Sequence, residues 1–179
     1  MSNSNKSTLS EIISELERTA PLERATVLGW MQTDDLEAAG ALMSLLADEE
    51  QFKRIQPPLA DRECFSFIAK YYERTLLESP DGEWSDSRTT AGWDFAKWFL
   101  ELWDSRSVSR EVLSNLKAML ERVCKDGGPA TCKALVTAVM EHLFQRSEIV
   151  TYFSEWAEDP NLASAYAEAV RLASLKRPN

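Results

Sequence analysis

His142, the only histidine of the chain, is the first residue to consider for catalysis. It lies between Glu141 and Leu143 in a strongly apolar stretch. The HExxH motif of zinc proteases is absent, and the sequence assigns no serine or cysteine to this histidine as a nucleophile. A histidine at the edge of the core is the simpler interpretation, so we predict no catalytic residues. An enzyme stays the third alternative, and it would need a pocket that gathers His142 or a carboxylate cluster.

Carboxylates at helical spacing could bind a divalent cation or transfer protons. Two such sets are Glu155 with Glu158 and Asp159, and Glu73 with Asp61 and Glu63. Neither set has the histidine or the repeated i, i+3 pattern of a di-metal bundle, so a solvated face is the simpler interpretation. The loop 81–86 lacks the spacing of a calcium loop, and Gly127-Gly128 lacks the residues of a phosphate loop. We therefore predict no metal and no cofactor.

Acidic and aromatic residues are interleaved in one part of the chain. Four of the six tryptophans fall within twenty residues: Trp84, Trp93, Trp98 and Trp103. Rings surrounded by acid are what a binder of a basic protein would present, because charge steers the encounter and buried rings supply affinity. The alternative is that the rings belong to the core, and we favour it for Trp93 and Trp103. Trp84, in a loop, is the better candidate for an exposed ring.

The predicted partner-binding residues come from this region and from the acidic segment 34–50. They are Asp34, Asp35, Asp48, Glu49, Glu50, Asp81, Glu83, Trp84, Asp86, Asp94 and Glu101.

The net charge of the 179-residue chain is −9, and it is unevenly distributed. Residues 1–56 carry −5, residues 57–106 carry −4, and residues 107–179 are neutral. Such a chain repels phosphate backbones and anionic lipid, so we expect neither nucleic acid nor a membrane as partner. A basic protein is the natural counterpart. The alternative is that the acidity serves solubility alone.

Composition and cysteine content indicate one cytoplasmic domain over residues 1–179, with frayed tails at 1–6 and 176–179. A chain of this size can bury a sizeable core without metal or disulfides. Its first residues are polar, and no stretch is apolar enough to span a bilayer. Cys64, Cys124 and Cys132 form no CxxC pair and leave an odd one over, which argues against disulfides. We expect three reduced cysteines.

Apolar residues recur at helical spacing almost throughout, which predicts an all-α fold of about nine helices. The signals place helices at 8–20, 21–31, 34–46, 59–77, 90–104, 109–126, 129–144, around 152–156 and from 160 onward. Helix 90–104 is apolar over most of its circumference, so we expect it to be central. Glu101 and Glu141 have apolar neighbours in sequence, so each should lie at the rim of the core or pair with an arginine, and we favour a structural ion pair for both. A closed bundle and a short HEAT-like stack of hairpins both fit.

Residues 116–144, followed by the aromatic pair Tyr152-Phe153, resemble a group of small uncharacterised bacterial helical proteins. In that group a helical hairpin ends in a Leu/Met-Glu-x-Leu turn, here Met140-Glu141-His142-Leu143. Some members are suspected immunity proteins of toxin systems. The resemblance implies a non-catalytic protein that sequesters a cognate toxin, and it implies no binding residues.

We therefore expect a non-catalytic protein-binding protein. The sharper hypothesis is a bacterial immunity protein that neutralises a basic toxin. The alternative is a helical adaptor or regulatory scaffold.

Overall fold

The fold is all-α, as predicted. The computed structural model describes residues 3–105 and 107–176, with side chains from residue 8 onward. Its helices are α1 (Asn3–Leu16), α2 (Arg24–Trp30), α3 (Leu36–Ala47), α4 (Glu49–Lys53), α5 (Asp61–Glu78), α6 (Arg88–Asp104), α7 (Arg110–Asp126), α8 (Gly128–Leu135), α9 (Glu141–Leu143), α10 (Ser147–Tyr152) and α11 (Ala163–Lys176). A π-helix, Val136–Met140, joins α8 to α9, and a short 3₁₀-helix covers Ser154–Ala157. Of the tails predicted to fray, residues 1, 2 and 177–179 lie outside the described residues. Within the part described, no helix is both long and apolar enough to cross a membrane.

The chain divides into two compact units. Unit 1 comprises the residues up to Thr75 together with Ser79–Ser87. Unit 2 comprises Leu76–Glu78 and the chain from Arg88 onward.

Unit 1 is built around α3, which carries seven buried residues, among them Ala38, Leu42 and Leu45. Helix α1 packs against α3 with Ile12 fully buried. Arg54 follows α4 and binds residues at the end of α1 and just after it. Its guanidinium donates to the carbonyl oxygens of Ala20 and Glu15 and to the Glu15 carboxylate, each at 2.7 Å. The side chain of Arg54 is only 9% exposed. The hydrogen bonds of Arg54 therefore join two segments of unit 1 that are far apart in the sequence.

The prediction that the second helix begins at Pro21 is wrong. Residues Leu22–Glu23 form a short strand, β1, that pairs in parallel with Ile55–Gln56, β2. Leu22 and Ile55 lie opposite each other and are both buried. Helix α2 begins only after this pairing, because Glu23 keeps an extended backbone.

Two aspartates cap the N-termini of helices α3 and α4. Asp35, one residue later than predicted, accepts hydrogen bonds from the backbone of Glu37 and Ala38 and caps α3. Asp48 caps α4 in the same way, with bonds from Glu50 and Gln51. Helix α4 lies between the helices predicted at 34–46 and 59–77, where no helix was predicted.

Unit 2 has an aromatic core. The α6 rings Phe95 and Phe99 are fully buried, and Phe99 lies 6.2 Å from Phe153 between ring centroids. Trp156 is 1% exposed and packs edge-on against Phe153 at 5.1 Å. Its indole N–H donates to the Glu121 carboxylate at 2.9 Å, so the polar atom of this buried ring is satisfied.

The helix predicted for 129–144 has the right extent but is interrupted by the π-helix. Helix α6 packs on this segment at Gly92, where an added Cβ would lie 2.6 Å from that of Ala138. The absence of a side chain at Gly92 allows this close approach. Periodicity in the sequence does not reveal the π-helix, because its five residues are too few to change the apolar pattern.

The expectation of three reduced cysteines is wrong. Cys124 at the end of α7 and Cys132 in α8 form a disulfide across the turn at Gly127 and Gly128. Cys64 is a free, half-buried thiol. CxxC spacing and an odd number of cysteines do not predict this bond, because the hairpin brings together two cysteines eight residues apart.

The two expected ion pairs have different outcomes. Glu141 is buried and pairs with Lys176 of α11, which confirms a structural ion pair. Glu101 is exposed, and none of the ion pairs among the described residues includes it, so that prediction is wrong. It lies on the outer face of α6, where a carboxylate can remain in water.

Candidate functional site

The most acidic connection of unit 1 is residues 79–87, which we call the acidic loop. It begins at Ser79, whose left-handed backbone (φ 51°) ends α5. Asp81 and Glu83 are exposed, whereas Trp84 and Asp86 are half-buried. The loop thus turns two carboxylates outward and holds an indole partly against the protein.

Glu37 of α3 fixes this loop. One carboxylate oxygen accepts hydrogen bonds from the backbone N–H of Glu83 at 2.9 Å and of Trp84 at 3.0 Å. The other accepts from the backbone N–H of Ser85 at 2.9 Å and from the Ser85 hydroxyl. Three consecutive backbone donors therefore converge on one anion, an arrangement in which each bond is strengthened by the charge.

The ionised form of Glu37 is the one that the loop stabilises. Burial raises the pKa of the Glu37 carboxyl, but the hydrogen bonds from Ser85, Trp84 and Glu83 outweigh burial, and the pKa lies below its ordinary value of 4.5.

Two further contacts hold the acidic loop. The backbone of Trp84 crosses α3 at Gly40, so closely that an added Cβ would collide with the Trp84 carbonyl group. At the end of the loop, the Tyr71 hydroxyl of α5 donates to the Asp86 carboxylate at 2.9 Å and accepts from the Asp86 N–H at 3.0 Å. Burial raises the pKa of Tyr71 beyond the usual range for a phenol, so its proton stays in place. Asp86 is thus engaged inside unit 1.

The structure brings two of the predicted acidic sets together at the N-terminus of α3. Asp34 and Asp35 precede the helix by two residues and one residue, respectively, and Glu37 in its first turn holds the acidic loop. We name Asp34, Asp35, Asp81, Glu83 and Asp86 the acidic cluster. The side chain of Asp34 is 89% exposed, and the ammonium of Lys70 lies 3.8 Å from its carboxylate. Such a loose exposed pair neutralises little of the charge.

The remaining predicted residues do not join the acidic cluster. Asp48, Glu49 and Glu50 follow the C-terminus of α3, about 18 Å along the helix from its start. Asp48 caps α4, and Lys53 pairs with both Glu49 and Glu50. Asp94 and Glu101 are exposed residues of α6 in unit 2.

The tryptophans differ from expectation in one respect. Trp93, expected in the core, is 55% exposed. Trp103 is half-buried and stacks on Phe99 at 6.2 Å. Trp93 falls on the solvent side of α6 together with Asp94, Lys97 and Glu101, so the stripe of polar residues seen in the sequence also contains an indole.

A groove of about 340 Å³ lies beside this stripe in unit 2. His142 and Arg146 face it across from Trp93, Lys97, Glu101 and Asp104. Asp104 and Arg146 form a two-pronged ion pair of 2.5 and 2.9 Å, and the hydrogen bonds from Arg146 hold the pKa of Asp104 below its ordinary value. The described residues that line the groove include no hydroxyl or thiol that could serve as a nucleophile.

The excess acid belongs to unit 1. Sixteen acidic and eight basic residues give it a formal charge of −8, against −1 for unit 2, which has thirteen acidic and twelve basic residues. Within the described chain, no group of three or more His, Cys, Asp or Glu side chains is arranged to hold a metal ion.

Replacing Glu37 by glutamine tests the anchor of the loop. We expect E37Q to lower the free energy of unfolding by about 1–2 kcal/mol at pH 7, because charge-assisted hydrogen bonds are replaced by neutral ones. Since the folded pKa is depressed, the contribution of the carboxylate is present above pH 4.5 and is lost as the pH falls through the folded value. The difference between E37Q and the wild type should therefore shrink at pH 3.

Urea unfolding at pH 7 and pH 3 measures this difference, with E17Q as the control on an exposed carboxylate. Equal stability of E37Q and the wild type at pH 7 would contradict the conclusion that Glu37 holds the acidic loop.

Replacing Gly40 by alanine tests the crossing of the loop over α3. The new methyl group would collide with backbone atoms of Trp84, so we expect G40A to cost about 2 kcal/mol. The matched control is G29A in α2, where nothing lies within 4 Å of the added Cβ. That variant should gain about 0.5–1 kcal/mol, because alanine has the higher helix propensity. Chemical denaturation followed by circular dichroism measures both, and a G40A as stable as G29A would show that the loop is not packed there.

Comparison with known proteins gives no significant match to a protein-family model, a curated protein or a solved structure.

Proposed function

We propose that the chain is a non-catalytic protein-binding protein whose unit 1 binds a basic partner through the acidic cluster. The single observation that carries the proposal is the concentration of charge, −8 in unit 1 against −1 in unit 2. A field of this sign attracts a basic protein over several ångströms and accelerates its encounter, an effect that falls steeply with salt.

The rigidity of the acidic loop supports the same proposal. Glu37, Gly40 and Tyr71 fix the loop backbone and leave Asp81 and Glu83 in solvent. Groups that are already ordered lose less entropy when a partner binds. The half-buried Trp84 beside them would supply apolar contact area.

The sharper form of the proposal is a bacterial immunity protein that covers the active site of a basic toxin. Its support is the resemblance of residues 116–153 to helical proteins of that type, together with the charge of unit 1. Under this proposal the protein acts in the cytoplasm, where it neutralises the toxin by occupying its substrate-binding surface.

The test uses the purified products of the two genes that flank this one. We expect one of them to be basic, to bind this chain tightly and to arrest growth unless this chain is co-expressed. The double variant D81K/E83K should lower the association rate by about tenfold or more. The control E17K/E23K makes the same change of charge on exposed residues of unit 1 outside the acidic cluster.

If neither product binds and neither arrests growth, the immunity proposal is overturned. If both double variants slow association equally, binding depends on total charge and the acidic cluster is not the site.

The exposed Trp93 supports the adaptor as the second candidate. It lies in unit 2, so each unit presents its own candidate surface, as a protein with two partners would require. Affinity purification separates the two candidates. An adaptor would recover several partners, and W93A would lose some of them while D81K/E83K loses others. An immunity protein would recover one.

A further inference from the structure

A second candidate site lies in unit 2. It is an open pocket of about 680 Å³ between the α7–α8 hairpin, the π-helix and α11. The Cys124–Cys132 disulfide, Val136 and Ala165 contribute to its predominantly apolar lining. Small-molecule sites typically have volumes of about 300–1,000 Å³ and apolar walls with a few polar groups. The pocket has both properties.

The π-helix gives a second, independent indication of a site. Val136 and Thr137, its first two residues, belong to the wall of the pocket. Thr137 donates its hydroxyl proton to the carbonyl oxygens of Lys133 or Ala134 at the end of α8. Single-turn π-helices are rare and occur frequently at functional sites.

The charges around the pocket leave one cation uncompensated. Lys125 pairs with Asp159 at 2.7 Å, and Glu168 pairs with Arg171 at 2.7 Å, so these four side chains sum to zero. Lys133 lines the same pocket, is exposed, and enters no ion pair among the described residues. The hydrogen bond from Arg171 is the main reason why the pKa of Glu168 lies below its ordinary value, and the charge of Lys133 lowers it further. Lys133 therefore lies near enough to the pocket to act on charges within it.

Ser164 supplies a neutral donor at the same pocket. It is exposed in the first turn of α11, and within residues 3–105 and 107–176 its hydroxyl makes no hydrogen bond. A hydroxyl and an ammonium on one apolar pocket suit a single carboxylate, which accepts from both.

We propose that this pocket binds a small amphiphilic monoanion, an apolar body that carries one carboxylate. The body lies against the disulfide, Val136 and Ala165, and the carboxylate contacts Lys133 and Ser164. A cation as ligand would meet two lysines against one carboxylate among the lining residues, and a polyanion would find only one lysine that is in no ion pair among the described residues. The proposal does not depend on the partner of unit 1.

The experiment uses two fluorescent probes with related aromatic bodies. Anilinonaphthalene sulfonate carries one negative charge, and phenylnaphthylamine carries none. Both should bind the wild-type protein at one saturable site, and decanoate should displace the anionic probe whereas decylamine should not. The variant K133E should weaken binding of the anionic probe by about tenfold or more and leave the neutral probe within about twofold.

Two further variants locate the binding. S164W places an indole over the pocket and should abolish binding of both probes by occupying the volume. K97E makes the same charge change as K133E on an exposed lysine that does not line this pocket, and should leave both affinities unchanged. Circular dichroism checks that each variant is folded. The proposal is overturned if neither probe saturates, if S164W has no effect, or if K97E weakens the anionic probe as much as K133E does.

Discussion

Replacing Trp156 by alanine is expected to lower the free energy of unfolding by about 3–5 kcal/mol, the largest effect among the changes considered. The ring is 1% exposed, contacts Phe153 edge-on and occupies the aromatic core of unit 2. Truncation would leave a cavity that the surrounding rings fill only in part, and it would leave the Glu121 carboxylate without its indole donor. Guanidinium denaturation followed by far-ultraviolet circular dichroism measures the loss.

Two variants separate packing from the hydrogen bond. W156F keeps most of the buried ring but removes the donor to Glu121, so about 1 kcal/mol should be lost beyond the smaller ring volume. W93A removes a ring of the same type that is 55% exposed, and its effect should stay within about 0.5 kcal/mol. A W93A variant as unstable as W156A would contradict the orientation of α6.

Removing the Cys124–Cys132 disulfide is expected to cost about 2.5 kcal/mol. The bond closes a loop between cysteines eight residues apart, and the loss of chain entropy in the unfolded state predicts a stabilisation of this size for so short a loop. The double variant C124S/C132S should therefore unfold at lower denaturant concentration than the oxidised wild type. Addition of reductant to the wild type should reproduce most of the change.

C64S is the matched control, because Cys64 is a free, half-buried thiol. It should change stability by no more than about 0.5 kcal/mol. If reductant leaves the wild-type stability unchanged, the disulfide does not contribute in solution.

The long helices could be predicted from the sequence, and the bounds of α5, α6 and α7 agree within about two residues, whereas α1 was expected at 8–20 and is found at Asn3–Leu16. Helix α7 was expected at 109–126 and is found at Arg110–Asp126, because Ser109 is a strong capping residue and glycines follow Asp126. The short elements could not be predicted. Strand β1 exists because Leu22 pairs with Ile55, more than thirty residues away, and no local signal encodes such a pairing.

Only the exposed residues of the candidate site could be predicted from the sequence. Asp81 and Glu83 are exposed, as their polar surroundings in the sequence indicated. No local signal in the sequence shows that Glu37 binds a loop 46–48 residues later. The exposure of Trp93 was missed for a similar reason, since an indole on a strongly apolar helix has the same local pattern whether it faces the core or solvent.

The five residues Val136–Met140 also set the orientation of everything that follows them in the same helix. Each residue of an α-helix turns the chain by about 100°, and a π-helical turn holds one residue more than an α-helical one. If the same five residues were wound as an α-helix, Glu141 and His142 would be rotated by about that angle. Glu141 would then point away from Lys176, and His142 would leave the groove beside Trp93. The direction in which these two side chains point thus depends on the π-helical winding of Val136–Met140.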